Sequence, residues 1–500
     1  MRSEKQLFNY LKSRVMNKKF YWLAGFAALM MIAACSDDNV VNENPTPDPE
    51  PEVESNVVTL QVIDGASQAG RIHMVPQTKA VSGVKKNRLN YVATISHPEL
   101  QADEKNWSAT SVFVENEEGT SHSVYITWHS DRQATDPAVT WGGALDVVAF
   151  QEEIEDETVT DISLEDSYYD PQNLMKFEGV MKVGEVDENG GALFLSATHA
   201  TKGAVVARLP MYNPRKAEII GMPGASVNCV AQMGNNLVAV TGFRGTWATF
   251  SPDVAAVDYD YENLENNDWL TLKQDMSDDF GGKYIAVDEH NRGYVLRTEL
   301  NKAQIIGAST RRVVVDNMAP LLSSNKVGET YDPTTGEWTL GTEESPLQGK
   351  HVMVVQNGYA YVGAGLNGLR VYSLSNGTEV KNFDEEKGGP NTTGLCIDGD
   401  LLYAATGSGL RVYKMLGEGQ LELYAFEVKE YDENGLPDSN EPPTTIDDGT
   451  ATPGHHFANF VTVLDAEDGN KYIFVAYGQD GVRVYKLIPD ATGEEEEVTE

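Results

Sequence analysis

Basic residues are scarce in this 500-residue sequence, which has 38 Lys and Arg against 76 Asp and Glu, a formal net charge of −38. Six of the basic residues fall within positions 1–34, so the remainder is still more acidic. A chain of this charge repels phosphate backbones, which excludes nucleic acid as an expected partner. The acidity is typical of a soluble domain on a crowded cell surface.

Recognisable metal and catalytic motifs are also missing. The sequence has no Cys-x-x-Cys or His-x-x-x-His spacing for zinc, and the adjacent His455 and His456 would point to opposite faces of a strand. The acidic turns at 187–191 and 465–470 lack the spacing of a calcium loop and suit tight hairpin turns, which leaves calcium as the lesser alternative. No nucleophile elbow, phosphate-binding loop or dinucleotide fingerprint occurs in a supporting context. We therefore predict no metal, no cofactor and no transferable catalytic residue.

The N-terminus has the features of an export signal. Lys18-Lys19 precede an apolar run from Phe20 to Ala34, which is too short to span a bilayer comfortably and suits the core of a signal peptide. The run closes on Ile32-Ala33-Ala34-Cys35, which resembles the lipobox of bacterial lipoproteins. That resemblance implies cleavage before Cys35 and acylation of its thiol, with palmitate among the expected chains. Residues 1–34 are thus a predicted signal peptide, with Met16 as an alternative start.

The segment after the cysteine resembles a sorting signal and a stalk. Ser36-Asp37-Asp38 resemble signals for outer-membrane sorting and surface export, so we expect the protein to face the medium, with a periplasmic orientation as the alternative. Residues 35–56 are a polar, acidic linker whose alternating prolines from Pro45 to Pro51 favour extended polyproline II, about 3 Å per residue. Residues 489–500 form an acidic tail, predicted to be disordered.

Three segments near the C-terminus are variants of one pattern, in which a short Gly turn joins two β-rich runs. This is a hairpin signature. The second runs begin at Gly368, Gly409 and Gly481 and read Gly-Leu-Arg-Val-Tyr or Gly-Val-Arg-Val-Tyr. Gly368 and Gly409 are 41 residues apart, the period of a four-stranded propeller blade. The next interval is longer because of an insertion around 431–454.

Weaker copies of the hairpin precede these three, at 123–150, 192–208, 237–250 and 293–306. Seven hairpins and no amphipathic helix pattern after residue 57 predict an all-β fold, a seven-bladed β-propeller over residues 57–488. We expect Asn90–Ser96 to pair with the last blade and close the ring, with Val57–Asp64 as the rival closing strand.

The Gly-Leu-Arg-Val-Tyr strands resemble those of LVIVD-repeat and YVTN-type propellers of bacterial surface proteins. The resemblance is clear over 350–488 and loose over 90–350, and it implies the fold and a binding role. Arg370, Arg411 and Arg483 share one blade position, which predicts a structural role as an ion pair between blades or a hydrogen bond to a carbonyl.

Cys229 and Cys396 are placed by the repeat on the inner strands of blades across the ring from each other. Their backbones should then lie beyond the ~7 Å limit for a disulfide. We interpret both as small buried hydrophobic residues.

One face of a propeller normally carries its site, because the outer-to-inner connections and the second-to-third-strand turns meet there. The residues predicted to lie on that face are Trp128, His129, Trp141, His199, Phe243, Arg244, Trp247 and Asp480. Aromatic rings with a few polar groups suit stacking on sugars or peptide side chains, although each ring could instead pack between blades.

The predicted function is therefore a lipid-anchored outer-membrane propeller that binds a carbohydrate or a protein. One alternative is a polysaccharide lyase or hydrolase that uses His129 or His199, with Arg244 and Asp480, as acid and base. The other is a structural subunit of an outer-membrane assembly.

Overall fold

The structure, a computed structural model, describes residues 56–75, 89–98, 107–115, 119–130, 142–152, 161–170, 173–184, 191–224, 226–242, 247–273, 280–299, 302–322, 326–327, 330–332, 337–339, 343–344, 350–383, 391–428, 431, 435, 458–466 and 469–487. All of them belong to the unit Ser55–Glu500. The predicted signal peptide, Cys35, the linker before residue 56 and the tail at 489–500 lie outside the described residues. Within the described ranges, no helix is long and apolar enough to cross a membrane.

The N-terminal part of the unit contains short strands and one 3-10 helix. Its elements are β1 (Val57–Thr59), β2 (Gln61–Asp64), the 3-10 helix Gly65–Arg71, β3 (Ile72–Met74) and β4 (Leu89–Ile95).

The next eight strands form two antiparallel meanders. They are β5 (Trp107–Glu115), β6 (Ser121–Ser130), β7 (Gly143–Gln151), β8 (Asp161–Asp170), β9 (Leu174–Val183), β10 (Ala192–His199), β11 (Gly203–Pro210) and β12 (Lys216–Gly221). A single residue pair, His129 with Lys176, joins β6 to β9. With β2 on the edge of β8 and β1 on the edge of β12, the two meanders make one ten-stranded sheet.

Two four-stranded sheets follow, each in chain order from first to last strand. Their strands are β13 (Val227–Met233), β14 (Asn236–Thr241), β15 (Trp247–Phe250), β16 (Leu270–Lys273), β17 (Gly281–Val287), β18 (Gly293–Glu299), β19 (Lys302–Gly307) and β20 (Val313–Met318), with a 3-10 turn at Leu264–Asn266 between β15 and β16. Four short strands then form two two-stranded pairs: β21 (Lys326–Val327), β22 (Thr330–Asp332), β23 (Glu337–Thr339) and β24 (Glu343–Glu344).

The C-terminal region contains three more sheets. Their strands are β25 (Met353–Gln356), β26 (Tyr359–Gly363), β27 (Leu369–Ser373), β28 (Glu379–Phe383), β29 (Gly394–Asp398), β30 (Leu401–Thr406), β31 (Gly409–Gly417), β32 (Gln420–Phe426), β33 (Phe460–Asp465), β34 (Lys471–Ala476) and β35 (Val482–Leu487). The last sheet has five strands in the order β3-β4-β35-β34-β33, and we call it the closing sheet.

The repeat glycines are required by the turns that they occupy. Gly368, Gly409 and Gly481 have φ of +70°, +87° and +86°, the left-handed region that other residues rarely adopt. Each turn leads into a strand whose tyrosine is buried: Tyr372, Tyr413 and Tyr485 are at most 3% exposed. The three predicted hairpins and their four weaker upstream copies all form as antiparallel pairs.

The core lies between neighbouring sheets. In β30 (Leu401–Thr406) all six residues are buried, as expected of a strand that is covered on both faces. Apolar side chains of the β25–β28 sheet, among them Tyr361 and Leu369, pack against Leu402 and Ala404 of the next sheet. Stacking of adjacent sheets therefore buries what a single four-stranded sheet could not.

The sheets form a propeller, because their first strands contact one another in chain order and β33, the first strand of the last sheet, contacts β5. The closing sheet completes the ring: Leu89–Ile95 pairs with Val482–Leu487 from the other end of the chain. The predicted closing strand is confirmed. The rival, Val57–Asp64, is wrong in that role, because β1 pairs with β12 and β2 pairs with β8.

The number of separate blades differs from the predicted seven. Five sheets have the four or five strands of a blade, and the two N-terminal meanders share one larger sheet instead of standing apart. The His129–Lys176 pair that merges them was not predictable from the repeat, since it links strands of different hairpins.

An N-terminal belt runs around the outside of the ring. We define it as residues 57–74, whose strands β1, β2 and β3 pair with the outer edges of β12, β8 and β4 in turn. The belt covers three strand edges that would otherwise be exposed to pairing with other chains.

Candidate functional site

The predicted site residues that the structure describes lie toward one end of the ring, which we call the upper face. It is the end at which the inner strands begin, at Trp107, Leu174, Val227, Gly281, Met353, Gly394 and Phe460. In an antiparallel meander the turn between the second and third strands lies at the same end. Trp141, Phe243 and Arg244, which were predicted to lie there, fall outside the described residues.

Two of the predicted site tryptophans, Trp128 and Trp247, lie within the described residues and are packed within the fold. Trp128 is 0% exposed, and its Nε1 donates to Asp146 Oδ2 at 2.8 Å. Trp247 is 2% exposed, and its Nε1 donates to the carbonyl of Ala308 in the next sheet at 3.1 Å. The contact of Trp128 lies within its own sheet and that of Trp247 joins two sheets, and because both rings are buried neither presents a face to a ligand.

His199 and Asp480 are occupied by local contacts. His199 is buried, and its Nδ1 accepts from the backbone N–H groups of Thr201 and Lys202 at 3.3 Å, which fixes the turn between β10 and β11. Asp480 lies 3.7 Å from Arg483 Nη2 in the turn before β35.

Among the predicted site residues that the structure describes, His129 is the one that contacts a carboxylate on an inner strand. Its Nδ1 lies 3.4 Å from Glu178 Oε1, and the two side chains are 17% and 26% exposed. Glu178 lies on the inner strand β9, which places the pair on the side of its sheet that is nearest the axis. Both side chains keep some exposed surface, although the Nδ1 atom of His129 is itself buried.

Three lysines surround this carboxylate. Burial raises the pKa of Glu178. The interactions with His129, Lys176 and Lys350 outweigh burial and hold the pKa of Glu178 well below its ordinary value. Lys283, on β17, also interacts with the charge of Glu178. We call these five residues the axial cluster.

Lys350 crosses the axis just before β25. Its Nζ donates to the carbonyl of Thr110 on β5, and to the carbonyl of Glu178 on β9 at 2.7 Å. The same ammonium lies 4.7 Å from the centre of the Phe460 ring at the start of β33. One side chain thus links inner strands from distant parts of the sequence.

Burial raises the free energy of a charged ammonium group, so it destabilises the protonated form of the axial lysines. It lowers the pKa of Lys350 to about 8, against the opposing attraction of Glu178. The pKa of Lys283 falls to about 8 for the same reason, and that side chain is only 9% exposed. Burial, together with the charge of Lys283, also lowers the pKa of the neighbouring His351 to about 3, so this imidazole is neutral at physiological pH.

The two cysteines of the propeller also lie near the axis. Both thiols are free, and Cys396 is only partly buried, in contrast to the predicted full burial. Burial raises the pKa of Cys229 to about 11 and that of Cys396 to about 12. Both interact electrostatically with Tyr284 on β17, whose hydroxyl pKa burial raises well above its ordinary value.

Arg370 and Arg483 make contacts of the predicted kinds, a hydrogen bond to a carbonyl and an ion pair between sheets, whereas Arg411 contacts a hydroxyl group in its own turn. Arg370 donates to the carbonyl of Asn367 at 3.0 Å and to Glu379 Oε1 at 3.0 Å, within its own sheet. Arg483 in the closing sheet donates to Glu427 Oε1 of the preceding sheet at 2.8 Å. Arg411 donates to Ser408 Oγ at 3.0 Å in its own hairpin turn.

Sequence reasoning missed the axial lysines. A usable signal was present, because Lys176, Lys283 and Lys350 all lie within three residues of the start of an inner strand in a chain that has few basic residues. In the described part of the chain, no group of three His, Cys, Asp or Glu residues could hold a metal ion.

Comparison with known proteins identifies no family for this chain. No protein-family model matches the sequence, and no curated protein matches it. Solved structures that are similar include a catalytically inactive virginiamycin B lyase from Staphylococcus aureus with quinupristin (10% identity, 78% of this chain and 99% of that chain, TM-score 0.45). Two others are the WD40 β-propeller domain of Doa1 (8% identity, 80% and 97%, TM-score 0.41) and U3-55K (10% identity, 78% and 97%, TM-score 0.42). At these TM-scores the similarities carry no argument, and the propeller assignment rests on the sheet topology described above.

Proposed function

We propose that this protein is a bacterial lipoprotein with LVIVD-like repeats that presents a β-propeller on the cell surface as a binding platform. Its thiol at Cys35 is acylated and held in the outer membrane, and the proline-rich linker lifts the ring away from the bilayer. The ligand is a carbohydrate or a protein, and the platform retains it without turnover. The sequence of residues 18–51 supports the anchor and the stalk.

The ring in this proposal has seven blades. The ten-stranded sheet divides at the single His129–Lys176 pair into two four-stranded meanders, which with the five other sheets makes seven. The contacts of the inner strands support this division, since β5, β9, β13, β17, β25, β29 and β33 touch in that order and β33 returns to β5.

The axial cluster is the observation that carries the proposal. Five charged or titratable side chains, from β6, β9, β17 and the segment before β25, interact near the axis, and the side chains of Glu178 and His129 remain partly exposed. A rigid ring that fixes polar groups before a ligand arrives reduces the ordering cost of binding. His129 therefore belongs to the binding site, whereas the buried tryptophans support the ring.

The test uses full-length protein in a Gram-negative host, together with a Cys35→Ala variant. Intact cells are incubated with fluorescent oligosaccharide and peptide panels, and cells and medium are assayed separately. We expect wild-type cells to retain a probe on their surface unchanged, and the variant to lose the anchor, so that protein and probe leave the outer membrane together. Conversion of the probe to products, or no retention by wild-type cells, would contradict the proposal.

A further inference from the structure

Two residues of the segment that follows β32, Tyr431 and Gly435, contact the joint between β4 and β35, which we call the seam. The aromatic ring of Tyr431 lies 5.6 Å from that of Tyr91 in β4 and 6.2 Å from that of Tyr485 in β35. The carbonyl of Gly435 accepts from the backbone N–H of Tyr91 at 2.9 Å. Both strands that close the propeller are therefore contacted from outside their own sheet.

The approach to the seam is fixed by a buried ion pair. Glu427, the first residue after β32, is 1% exposed, and its Oε1 accepts from Arg483 Nη1 of β35 at 2.8 Å. The next residue, Val428, donates its backbone N–H to the hydroxyl of Tyr431 at 3.2 Å. Tyr431 also packs against the apolar cluster that includes Leu89 of β4. The position of Tyr431 is thus fixed from the sheet that the chain leaves as well as from the seam.

The belt and Gly435 hold different parts of β4. β3 pairs with residues 93–95, and the backbone N–H of Val75 donates to the carbonyl of Val92 at 2.8 Å. Gly435 binds the next residue toward the N-terminus, Tyr91. The C-terminal part of β4 is therefore held by the belt, and residues near its N-terminal end are held by Tyr431 and Gly435.

Pairing across the seam is irregular between these two parts. Ala93 is opposite Val484 and Tyr91 is opposite Tyr485, so Val92 has no opposite residue. Such a bulge interrupts the ladder of hydrogen bonds. Three residue pairs remain on the N-terminal side of the bulge, at 89–91, and so short a ladder at the end of a strand opens locally at a low free-energy cost. Contacts outside the ladder then decide whether this part of the seam stays closed.

We propose that Tyr431 and Gly435 form a latch on the seam. With the latch in place, residues 89–91 stay paired with β35. When the latch is released, this part of the seam opens while the other sheets stay folded. The two residues are in this way a conformational device that controls closure of the propeller, a role that the proposed binding function neither requires nor assigns.

Hydrogen exchange of backbone amides in the full-length, detergent-solubilised protein tests the latch. We expect Tyr431→Ala to speed exchange in peptides that cover 89–95 and 482–487 by at least about tenfold, because the variant loses the aromatic contacts with both strands. Exchange at 359–373, in the sheet β25–β28, should keep its wild-type rate. An unchanged rate at 89–95, or equal acceleration in both sheets, would overturn the proposal.

Milder variants separate the two latch residues. Tyr431→Phe keeps the aromatic ring and should stay within about threefold of the wild-type rate. Gly435 has φ of +73°, so Gly435→Ala strains the backbone beside the bound carbonyl and should speed exchange at 89–95 by about fivefold. The matched control is Gly417→Ala, where φ is +87° and an added Cβ meets nothing within 4 Å, in the turn between β31 and β32.

The control should leave the rate at 89–95 unchanged. Equal acceleration by Gly417→Ala and Gly435→Ala, or none by Gly435→Ala, would contradict the latch, as would a Tyr431→Phe variant that exchanges as fast as Tyr431→Ala. These milder variants carry the test by themselves if Tyr431→Ala does not fold.

Exchange at several low concentrations of urea distinguishes local opening from unfolding of the whole sheet. Local opening exposes little surface, so the exchange rate at 89–91 in Tyr431→Ala should be nearly independent of urea. Exchange at 359–363 in the same protein should rise steeply with urea and serves as the reference. An equally steep rise at 89–91 would show that the closing sheet unfolds as a unit, and the latch would be wrong.

Discussion

The arginines of the repeat show how one residue type serves different needs at equivalent positions. Arg483 contacts a glutamate that is 1% exposed, whereas Arg370 contacts one whose side chain is 35% exposed. Glu427 also accepts from the backbone N–H of Leu410 at 2.9 Å and from the hydroxyl of Tyr477. The repeat predicted an ion pair or a carbonyl contact, which Arg483 and Arg370 make, but not which of them would pair with a buried acid.

The burial difference leads to a prediction at the scale of single residues. Glu427→Ala leaves Arg483 without its buried partner, so the free energy of unfolding should fall by about 3 kcal/mol. The matched variant Glu379→Ala removes the exposed partner of Arg370 and should cost less than about 1 kcal/mol. Denaturant unfolding of both variants measures the difference, and equal losses would show that the Glu427 pair is not buried.

At the scale of elements, the N-terminal belt is the part that the sequence did not predict. The hairpin predicted around Gly409 forms as β30 and β31, because a repeat and a Gly turn mark its place in the sequence. The belt strands have only three or four residues each, which is too short for a periodic pattern. The positions of the belt strands are set by pairing with strands that are distant in the sequence. Such pairing leaves no pattern within the belt strands themselves.

The belt is fixed to the ring by a buried polar network. Arg71 donates to the carbonyl of Ser96 at 2.9 Å and pairs with Asp146, which also accepts from Trp128 and from Ser167 Oγ. This explains why Trp128 is buried: its ring helps to hold the belt. The sequence could place Trp128 near the upper face but could not show the arginine 57 positions earlier that packs against it.

Close packing at the start of the 3-10 helix gives the prediction at this scale. A Cβ at Gly65 would lie 2.1 Å from the carbonyl oxygen of Leu164, whereas one at Gly70 would meet nothing within 4 Å. Gly65→Ala should therefore displace the belt and lower the free energy of unfolding by about 2 kcal/mol. Gly70→Ala, in the same segment, should change it by less than about 0.5 kcal/mol. Loss of stability in both variants alike would contradict the packing of the belt against β8.

At the scale of the whole molecule, the ring brings together residues that the sequence keeps apart. Lys350 and Thr110 are 240 positions apart, yet a side chain of one donates to the backbone of the other. The repeat predicted the β-propeller and its upper face, because hairpin order alone fixes which turns share an end. It could not predict the axial cluster, since side-chain convergence depends on the diameter and registration of the closed ring.

Closure of this ring is the central claim, and cysteine cross-linking of its two chain ends tests it most directly. Asn90 and Lys486 are opposite each other in the pairing of β4 with β35, so Asn90→Cys with Lys486→Cys should form a disulfide on mild oxidation. A second pair, Asn90→Cys with Lys302→Cys, joins the closing strand to a different sheet and should not cross-link. Non-reducing electrophoresis of the folded, full-length protein should show a cross-linked band for the first pair alone. A folded first variant that does not cross-link, or equal cross-linking of both, would contradict a ring closed by the N-terminal strand.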